Sequence, residues 1–340
     1  MSAAQSAPLA LSLGDPAGIG PELIVEAWAR RNTEALPPFL AVGSARLLRQ
    51  AAEARGLAVQ VVAIDNPGDA ASAFGDALPV LHGDEEADYA PGTPTEAGAR
   101  LAMASLQIAT RLTVEGQCSA LVTGPIAKSE LAKVGFIFPG QTEFVADACG
   151  IAAEDAVMML AGPQLRTVPL TVHCALAEVP GRITIDLICR RARIVHAAMQ
   201  RDFGLATPRI AICGLNPHAG ESGRMGREEI ETIAPAIARL QSEGIGATGP
   251  HPADSLFAPH ARDGYDVAIA MYHDQALVPI KALDFDSGVN MTLGLPIIRT
   301  SPDHGTAFAI AGQRLAHAGA TLAAIRMAGE TAVWRAKAAA

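Results

Sequence analysis

Short apolar runs alternate with longer amphipathic stretches along most of the 340-residue chain. Each short run is bounded by glycine, proline or polar residues, which is typical of a buried strand. The predicted strands are Leu9–Leu13, Phe39–Val42, Val59–Ile64, Ala120–Thr123, Val168–Val172, Arg209–Cys213 and Val267–Met271. Strands that alternate with helices in this way favour βαβ units and a largely parallel sheet, and so predict an α/β fold.

Three longer stretches carry the apolar period of helices that pack on a sheet. They are Glu96–Val114, Ile183–Phe203 and Arg227–Ser242. In the second stretch, one apolar stripe is formed by Leu187, Ile188, Ile194, Val195, Ala198 and Met199. The alanine-rich segment Gln313–Ala338 also predicts a helix.

The length of the chain and its apolar content, half of all residues, allow two domains. No internal repeat or low-complexity linker marks a boundary. Two loops rich in glycine, proline and polar residues, Phe136–Gln141 and Leu295–Pro302, are the predicted crossing points between domains.

The charge balance is acidic, with 26 Lys and Arg against 35 Asp and Glu and a net charge of −9. This balance argues against nucleic acid or an anionic membrane as the main partner, although a local basic pocket is compatible with it.

The cysteines and the N-terminal segment both favour a cytoplasmic protein. The five cysteines are an odd number, scattered and without a C-x-x-C pair, which is typical of reduced thiols. The first residues lack a basic stretch before an apolar core, and no apolar run reaches the roughly 18 residues of a membrane span.

Three late strands are each followed by a histidine. The segments TVPLTVH, RIAICGLNPH and DVAIAMYH end at His173, His218 and His273. Ligands bind beyond the carboxyl ends of strands in open α/β sheets, so three imidazoles at that edge could hold a divalent transition metal. Imidazole favours zinc or cobalt over magnesium. A single histidine near a strand end is more often a hydrogen-bonded structural residue than a ligand, so the metal prediction depends on the three occurring together.

The segment around His218, NPHAGESGRMGREEI, leaves two interpretations open. A glycine-rich turn before a helix can present backbone N–H groups to an anion. The segment lacks the G-K-[ST] of a phosphate-binding loop, however, and a flexible loop that wraps the site explains the glycines as well.

Three polar residues after His273 suit a small anionic substrate. Arg299 can bind a carboxylate or phosphate through two hydrogen bonds, and Lys281 and Asn290 lie within twenty residues of the same histidine. Both cations follow apolar residues, so we predict that Lys281 and Arg299 are partly buried. Asp274 could orient His273, transfer a proton, or cap the following helix.

The N-terminal LSLGDPAGIGPE predicts a strand, a glycine-rich ligand loop and a helix. It is not G-x-G-x-x-G and has no suitably placed acidic residue after a second strand, which disfavours a Rossmann dinucleotide site.

Taken together, these segments resemble the 4-hydroxythreonine-4-phosphate dehydrogenases of pyridoxal phosphate biosynthesis. The resemblance runs from about Leu9 to Ala311. It rests on LSLGDPAGIGPE, TGPIAKSEL, PGQTEF, GLNPHAGESGRMGREEI, GPHPADSLF, AMYHDQALVPIK and GVNMTLGLPIIRTSPDHGTA.

The resemblance implies a two-domain α/β/α sandwich of the isocitrate and isopropylmalate dehydrogenase type, not a Rossmann fold. The first, discontinuous domain would be residues 1–135 plus 300–340, and the second, residues 136–299, would carry the metal ligands and the dimer interface. The active site would lie in the cleft between the domains. The resemblance also implies a homodimer with the active site at its interface and a metal site shared between the two partners.

The resemblance also implies roles for individual residues. His173, His218 and His273 would bind one divalent metal, and the substrate would contact Gln141, Thr142, Lys281, Asn290 and Arg299. Asp274, Asp254 and Lys128 are candidates for catalysis or for orienting a ligand. The cofactor candidates are Gly14, Asp15, Asp303, His304 and Gly305. The family has histidine at the position of Gln141, and glutamine cannot carry a proton charge to an anion.

The implied reaction is NAD- or NADP-dependent oxidation of 4-(phosphooxy)-L-threonine, assisted by zinc, cobalt or magnesium. The 3-oxo acid formed would lose CO₂ to give 3-amino-2-oxopropyl phosphate. Because Gln141 replaces the histidine of the family, the substrate could instead be that of a related dehydrogenase. The alternatives are 4-phosphoerythronate, phosphothreonate and an aromatic cis-dihydrodiol. An alternative of another class is a metal-dependent hydrolase or lyase that uses the same histidines.

Overall fold

The computed structural model of the protein describes residues 7–82 and 85–339. The strands are β1 (Leu9–Ser12), β2 (Phe39–Gly43), β3 (Val61–Ile64), β4 (Leu78–His82), β5 (Ala120–Thr123), β6 (Val157–Ala161), β7 (Arg166–Pro169), β8 (Arg209–Cys213), β9 (Gly246–His251), β10 (Val267–Ala270), β11 (Val289–Leu293) and β12 (Arg299–Pro302). The helices are α1 (Gly20–Ala29), α2 (Ala45–Arg55), α3 (Ala70–Ala73), α4 (Glu96–Val114), α5 (Lys128–Lys133), α6 (Gln141–Ala148), α7 (Val179–Arg182), α8 (Ile185–Phe203), α9 (Ala234–Ser242), α10 (Ala253–Leu256), α11 (Pro259–Arg262), α12 (His273–Asp284) and α13 (Gly319–Ala339).

The chain forms two compact units. The first runs to Ala153 and continues from Leu295 to Val333, and the second comprises Glu154–Gly294 and the chain from Trp334 onward. These boundaries differ from those expected at residues 135/136 and 299/300. The segment after residue 135 stays in the first unit because Phe136, with Phe138 and Phe144 packed around it, closes an apolar cluster with Leu106 and Leu131.

The first unit contains a fully parallel sheet. Its strand order is β3-β4-β2-β1-β5-β12, and every neighbouring pair is parallel. The strands β1, β2 and β5 are buried along their whole length, and α4 packs on them. Strands buried on both faces read as near-continuous apolar runs, which is why their positions were visible in the sequence. The order is not the 3-2-1-4-5-6 of a Rossmann fold.

The second unit contains a mixed sheet in the order β11-β6-β7-β10-β8-β9. The strands β7, β10, β8 and β9 are parallel to one another, whereas β6 is antiparallel to both β11 and β7. Parallel neighbours end at the same edge of a sheet. The chain that follows β7, β8 and β10 therefore leaves from one edge.

The predicted α/β class is confirmed, and three elements have the predicted bounds: β5, β8 and α4. The helix predicted from Ile183 begins two residues later, because the side chain of Thr184 caps it by accepting a hydrogen bond from Leu187 N–H at 3.1 Å. Its buried stripe contains Ile188, Val195, Ala198 and Met199, as predicted, while Leu187 and Ile194 are half-buried.

Two predicted segments need correction. The strand expected at Val168–Val172 ends at Pro169, so Val172 lies in the following loop. The helix expected at Arg227–Ser242 opens with a π-helical turn, Glu229–Ile233, and becomes α-helical at Ala234. Proline has no N–H for the i−4 carbonyl, and the proline in the first turn of α9 explains why the helical register changes there.

No helix in the described part of the chain is long and apolar enough to cross a membrane.

Candidate active site

The three histidines follow three neighbouring parallel strands of the second unit. His173 comes after β7 and His218 after β8. His273 begins α12, three residues after the end of β10, whose neighbours are β7 and β8. The structure therefore places each of the three histidines after the carboxyl end of one of three neighbouring strands, and their role as metal ligands stays a prediction. His173 and His218 have left-handed backbone angles, with φ of 49° and 53°, a conformation that non-glycine residues adopt at a cost of about 1–2 kcal/mol each. Strain of this kind is characteristic of functional loops.

His173 and His273 line one cavity of about 420 Å³. Their ring centroids are 6.1 Å apart and the ring planes are inclined at 38°. Two imidazoles bound to one zinc ion at tetrahedral angles would have their centroids about 5 Å apart. The observed separation is about 1 Å wider, and imidazole nitrogens are suitable ligands for a divalent transition metal.

Asp274 contacts the ring of His273. The distance from His273 Nδ1 to Asp274 Oδ1 is 2.7 Å. A carboxylate only accepts, so Nδ1–H is the donor in this contact and Nε2 is the nitrogen that could bind a metal. The residue before α12 is Tyr272, which makes no side-chain cap, so the position of Asp274 favours the orienting role over a plain helix cap.

His218 lies in a loop with an unusual backbone. Residues 218–222 all have positive φ values and form a left-handed turn. The buried carboxylate of Glu229 stabilises the start of this loop, because Leu215 N–H and Asn216 N–H each donate to its Oε1 at 2.8 Å. These two N–H groups are used within the protein, which favours the wrapping-loop interpretation over an anion site there.

The structure does not bring all three histidines into one ligand cluster. Over residues 7–82 and 85–339, no group of three or more His, Cys, Asp or Glu side chains is arranged to hold a metal. His173 and His273 share a cavity, and His218 is not among its lining residues.

Gln275 connects two of the histidine-bearing segments and was missed in the sequence. Its Oε1 accepts from Met271 N–H at 2.6 Å, and its Nε2 donates to the Gly214 carbonyl at 2.9 Å. Met271 ends the run into His273, and Gly214 begins the run into His218. The sequence feature that could have indicated this role is the position of Gln275, two residues after His273 on the first turn of the helix.

The prediction that Lys281 is partly buried is wrong. It is exposed rather than partly buried, and it lies on the last turn of α12. Eight residues of helix separate it from His273, which is about 12 Å along the axis. Its apolar predecessors did not indicate burial, because α12 buries Ala276, Ile280 and Asp284 on a different face.

The remaining candidates of the second unit lie apart from the histidine cavity lining. Asn290 is in β11 opposite Leu160, and its Oδ1 is buried without a hydrogen-bond partner among the described residues. Asp254 is exposed in α10, and its Oδ1 accepts from Ser255 N–H at 3.0 Å.

In the first unit, Arg299 is a buried cation, only 4% exposed, at the start of β12. Its Nη2 donates to Thr123 Oγ1 at 2.8 Å and to Gln141 Oε1 at 3.0 Å, and its Nη1 donates to Thr142 Oγ1 at 3.4 Å. Burial lowers the pKa of Arg299 to about 10, although the nearby charge of Glu143 opposes the shift. The guanidinium remains charged at neutral pH.

Gln141 and Thr142 contact this cation, and Lys128 lies near Gly140, the residue before Gln141. Gln141 also donates from Nε2 to the Gly124 carbonyl at 2.9 Å. A Cβ added to Gly140 would approach Lys128 Nζ to 3.5 Å and Glu143 Oε2 to 3.0 Å, so the ends of both side chains lie close to this glycine. The structure therefore places the exposed Lys128 beside the start of α6.

The two predicted cofactor segments lie against each other in the first unit. Ile19 N–H donates to the Thr306 carbonyl at 3.0 Å, which joins the loop of Gly14 and Asp15 to the loop of Asp303, His304 and Gly305. Gly14 has a φ of 71°, and a Cβ there would approach the Pro125 carbonyl oxygen to 2.5 Å.

Two titratable residues in these loops suit a polar ligand. Asp15 Oδ2 and His304 Nε2 are buried and have no hydrogen-bond partner among the described residues. Burial raises the pKa of Asp15 and lowers the pKa of His304, so burial favours the neutral form of each. A bound cofactor with donor and acceptor groups would satisfy both atoms.

Comparisons with known proteins agree over nearly the whole chain. The family model of the pyridoxal phosphate biosynthetic protein PdxA matches residues 35–328. The chain is 61% identical over 331 residues to a 4-hydroxythreonine-4-phosphate dehydrogenase from Erythrobacter litoralis, covering 97% of this chain and 98% of the relative. It is 54% identical over 325 residues to the enzyme of the same name from Zymomonas mobilis, covering 96% of each.

Solved structures agree in the same way. A 4-hydroxythreonine-4-phosphate dehydrogenase from Klebsiella pneumoniae is 35% identical, with a TM-score of 0.86 over 97% of this chain and 99% of that one. A terephthalate 1,2-cis-dihydrodiol dehydrogenase from Burkholderia xenovorans is 31% identical, with a TM-score of 0.64 over 95% and 97%.

The fold and these relatives define the chain as an α/β dehydrogenase, an oxidoreductase that acts on a CH–OH group. It belongs to the pyridoxal phosphate biosynthetic protein PdxA family. The family resemblance read from the sequence is confirmed, and the hydrolase or lyase alternative receives no support from these relatives.

Proposed function

We propose that the chain oxidises 4-(phosphooxy)-L-threonine with NAD or NADP and a divalent metal. The product would be the 3-oxo acid, which decarboxylates to 3-amino-2-oxopropyl phosphate on the route to pyridoxal 5′-phosphate. The names of the relatives support this substrate, since the two most similar relatives described above carry the name of that dehydrogenase.

The observation that carries the proposal is the buried cation Arg299. A guanidinium removed from water loses solvation, and a bound anion restores the electrostatic balance. Its fork of N–H groups suits a phosphate or carboxylate, and Thr142 adds a hydroxyl at 3.4 Å from the same guanidinium. A small phosphorylated hydroxy acid carries both kinds of anionic group.

The proposed metal ligands are His173, His218 and His273. When bound, the metal would polarise the substrate hydroxyl while the nicotinamide accepts the hydride. Asp274 would hold the His273 ring so that Nε2 faces the cavity, 2.7 Å being a short contact between Nδ1 and a carboxylate oxygen. Arg299 would bind the anionic end of the substrate and fix the position of the reacting carbon.

We also propose a homodimer, as the family resemblance implies. Large apolar side chains support it: Leu176 beside the histidine cavity is 66% exposed, and Val278 and Phe285 on or next to α12 are 62% and 74% exposed. Apolar surface of this kind is characteristic of contact sites. Light scattering of wild type and Phe285→Glu tests the proposal. We expect a dimeric wild type and a larger dimer dissociation constant for Phe285→Glu. A monomeric wild type would contradict the proposed homodimer.

The substrate proposal is tested by NADH or NADPH formation with a panel of alcohols. The panel comprises 4-(phosphooxy)-L-threonine, 4-phosphoerythronate, phosphothreonate and an aromatic cis-dihydrodiol, each with zinc, cobalt or magnesium. We expect the highest kcat/KM for 4-(phosphooxy)-L-threonine and its loss in Arg299→Met. Higher kcat/KM for a sibling substrate, or no turnover of phosphooxythreonine, would reject the proposed substrate.

A further inference from the structure

We infer that Gln141 is a positioning residue for Arg299. Because its amide does not titrate, Gln141 accepts the hydrogen bond from Arg299 at every physiological pH, and the guanidinium keeps its position in the anion site. The inference deepens the proposed function, since it rests on Arg299 as the anion-binding group. It assigns to Gln141 a role other than direct contact with the substrate.

The hydrogen bonds of the Gln141 amide carry this inference. Arg299 can only donate and the Gly124 carbonyl can only accept, so the amide orientation is fixed: Oε1 accepts from Arg299 Nη2 at 3.0 Å and Nε2 donates to Gly124 at 2.9 Å. Gly124 directly follows β5, the strand that pairs with β12. The amide therefore fixes the guanidinium relative to the backbone of its own sheet.

Three charged groups of the described chain lie near the amide: Arg299, Glu143 and Lys128. Glu143 acts on the guanidinium through its charge, and both Glu143 Oε2 and Lys128 Nζ lie next to Gly140, the residue before Gln141. An amide does not titrate, so it serves as acceptor toward Arg299 whatever the charge of its neighbours. An imidazole in its place could accept from Arg299 only while neutral, and protonation near a pKa of about 6.5 would remove the acceptor.

A double-mutant cycle tests whether Gln141 acts through Arg299. Inorganic phosphate is the probe, and its Kd is measured by calorimetry for wild type, Gln141→Leu, Arg299→Met and the double variant, with circular dichroism confirming that each is folded. We expect Gln141→Leu to raise the Kd by about tenfold or more, since a hydrogen bond to a charged group is lost. The same change in the Arg299→Met background should have little further effect. Additive effects, or a wild type that does not bind phosphate, would overturn the inference.

Gln141→His separates positioning from direct contact without removing the cation. The measured quantity is the ratio of its phosphate Kd to that of wild type at each pH, which cancels the titration of phosphate itself. If Gln141 positions Arg299, the ratio rises as the pH falls from about 8 to about 5, because the imidazolium can no longer accept. If residue 141 contacts the anion, the added positive charge lowers the ratio instead, and the inference is wrong. Gln107→His, on the exposed face of α4, is the matched control and should give a ratio near one at every pH.

The two hypotheses fail in distinguishable ways. The substrate panel can reject 4-(phosphooxy)-L-threonine while phosphate binding still depends on Gln141 through Arg299. Conversely, turnover of that substrate together with additive effects in the cycle would reject only the positioning role.

Discussion

Gln275 donates a hydrogen bond from Nε2 to the carbonyl of Gly214 at 2.9 Å. The same amide accepts from Met271 N–H, so one side chain ties the end of β10 to the end of β8. These strands lead to His273 and His218. The relative position of two proposed metal ligands therefore depends on a residue that is not itself proposed as a ligand.

Replacing Gln275 should weaken metal binding more than folding. Gln275→Leu removes both hydrogen bonds, and we expect the affinity for Zn²⁺ to fall by about 10- to 100-fold, the usual cost of losing a group that orients metal ligands. Competition with a chromophoric chelator measures this. Gln275→Glu keeps the acceptor toward Met271 but faces the Gly214 carbonyl with a second acceptor, so an affinity loss of similar size is expected. Unchanged affinity in both variants would contradict the role.

Asp274 gives a graded prediction. Asp274→Asn keeps an acceptor for His273 Nδ1 without the charge, and Asp274→Ala removes it. Cobalt affinity should therefore fall slightly in the first variant and by about tenfold or more in the second. Both lose the favourable charge at the start of α12, which is worth about 0.3–1 kcal/mol of unfolding free energy. If only the unfolding free energy changes, Asp274 is a helix-terminus residue and no more.

Glu229 should be important for stability. It is 3% exposed and accepts from two backbone N–H groups and from Asn216 Nδ2. Glu229→Gln removes the charge and one acceptor, and should lower the free energy of unfolding by about 2–3 kcal/mol in urea denaturation. Glu228→Gln is the matched control, because Glu228 is less buried and also accepts from Asn216. Equal losses in the two variants would refute the special role of the buried carboxylate.

His304 predicts a pH dependence of stability. Burial lowers its pKa, although the Gly305 carbonyl and Asp303 oppose the shift. Between about pH 6.5 and the lower folded pKa, the unfolded chain binds more protons at this site, so its contribution to stability is present above pH 6.5 and is lost as the pH falls. His304→Asn should reduce the loss of stability between about pH 7 and 5. His317→Asn, at an exposed site, should leave the pH dependence as in wild type.

The predicted elements were most accurate where apolar patterns were continuous. β5, β8 and α4 have the predicted bounds, while β4, β6, β9, β11 and β12 were not predicted. The strand β12 reads RTSP and is buried throughout, but its polar residues conceal the burial in the sequence. The π-helical turn before α9 was also invisible, because a helical apolar period does not specify which carbonyl each N–H will bond.

The sequence by itself determined that three strands deliver His173, His218 and His273 to one edge. The three strands could be recognised because buried strands appear in the sequence as local apolar runs. Their last residues lie at one edge because the carboxyl ends of parallel neighbours meet there. Only the tertiary structure decided that Arg299 is buried and Lys281 exposed, since both follow similar apolar residues. Arg299 reaches Thr123 across 176 positions of sequence, and the Gln275 contact with Gly214 spans 61. Such contacts depend on how distant strands pair, and no local pattern records that pairing.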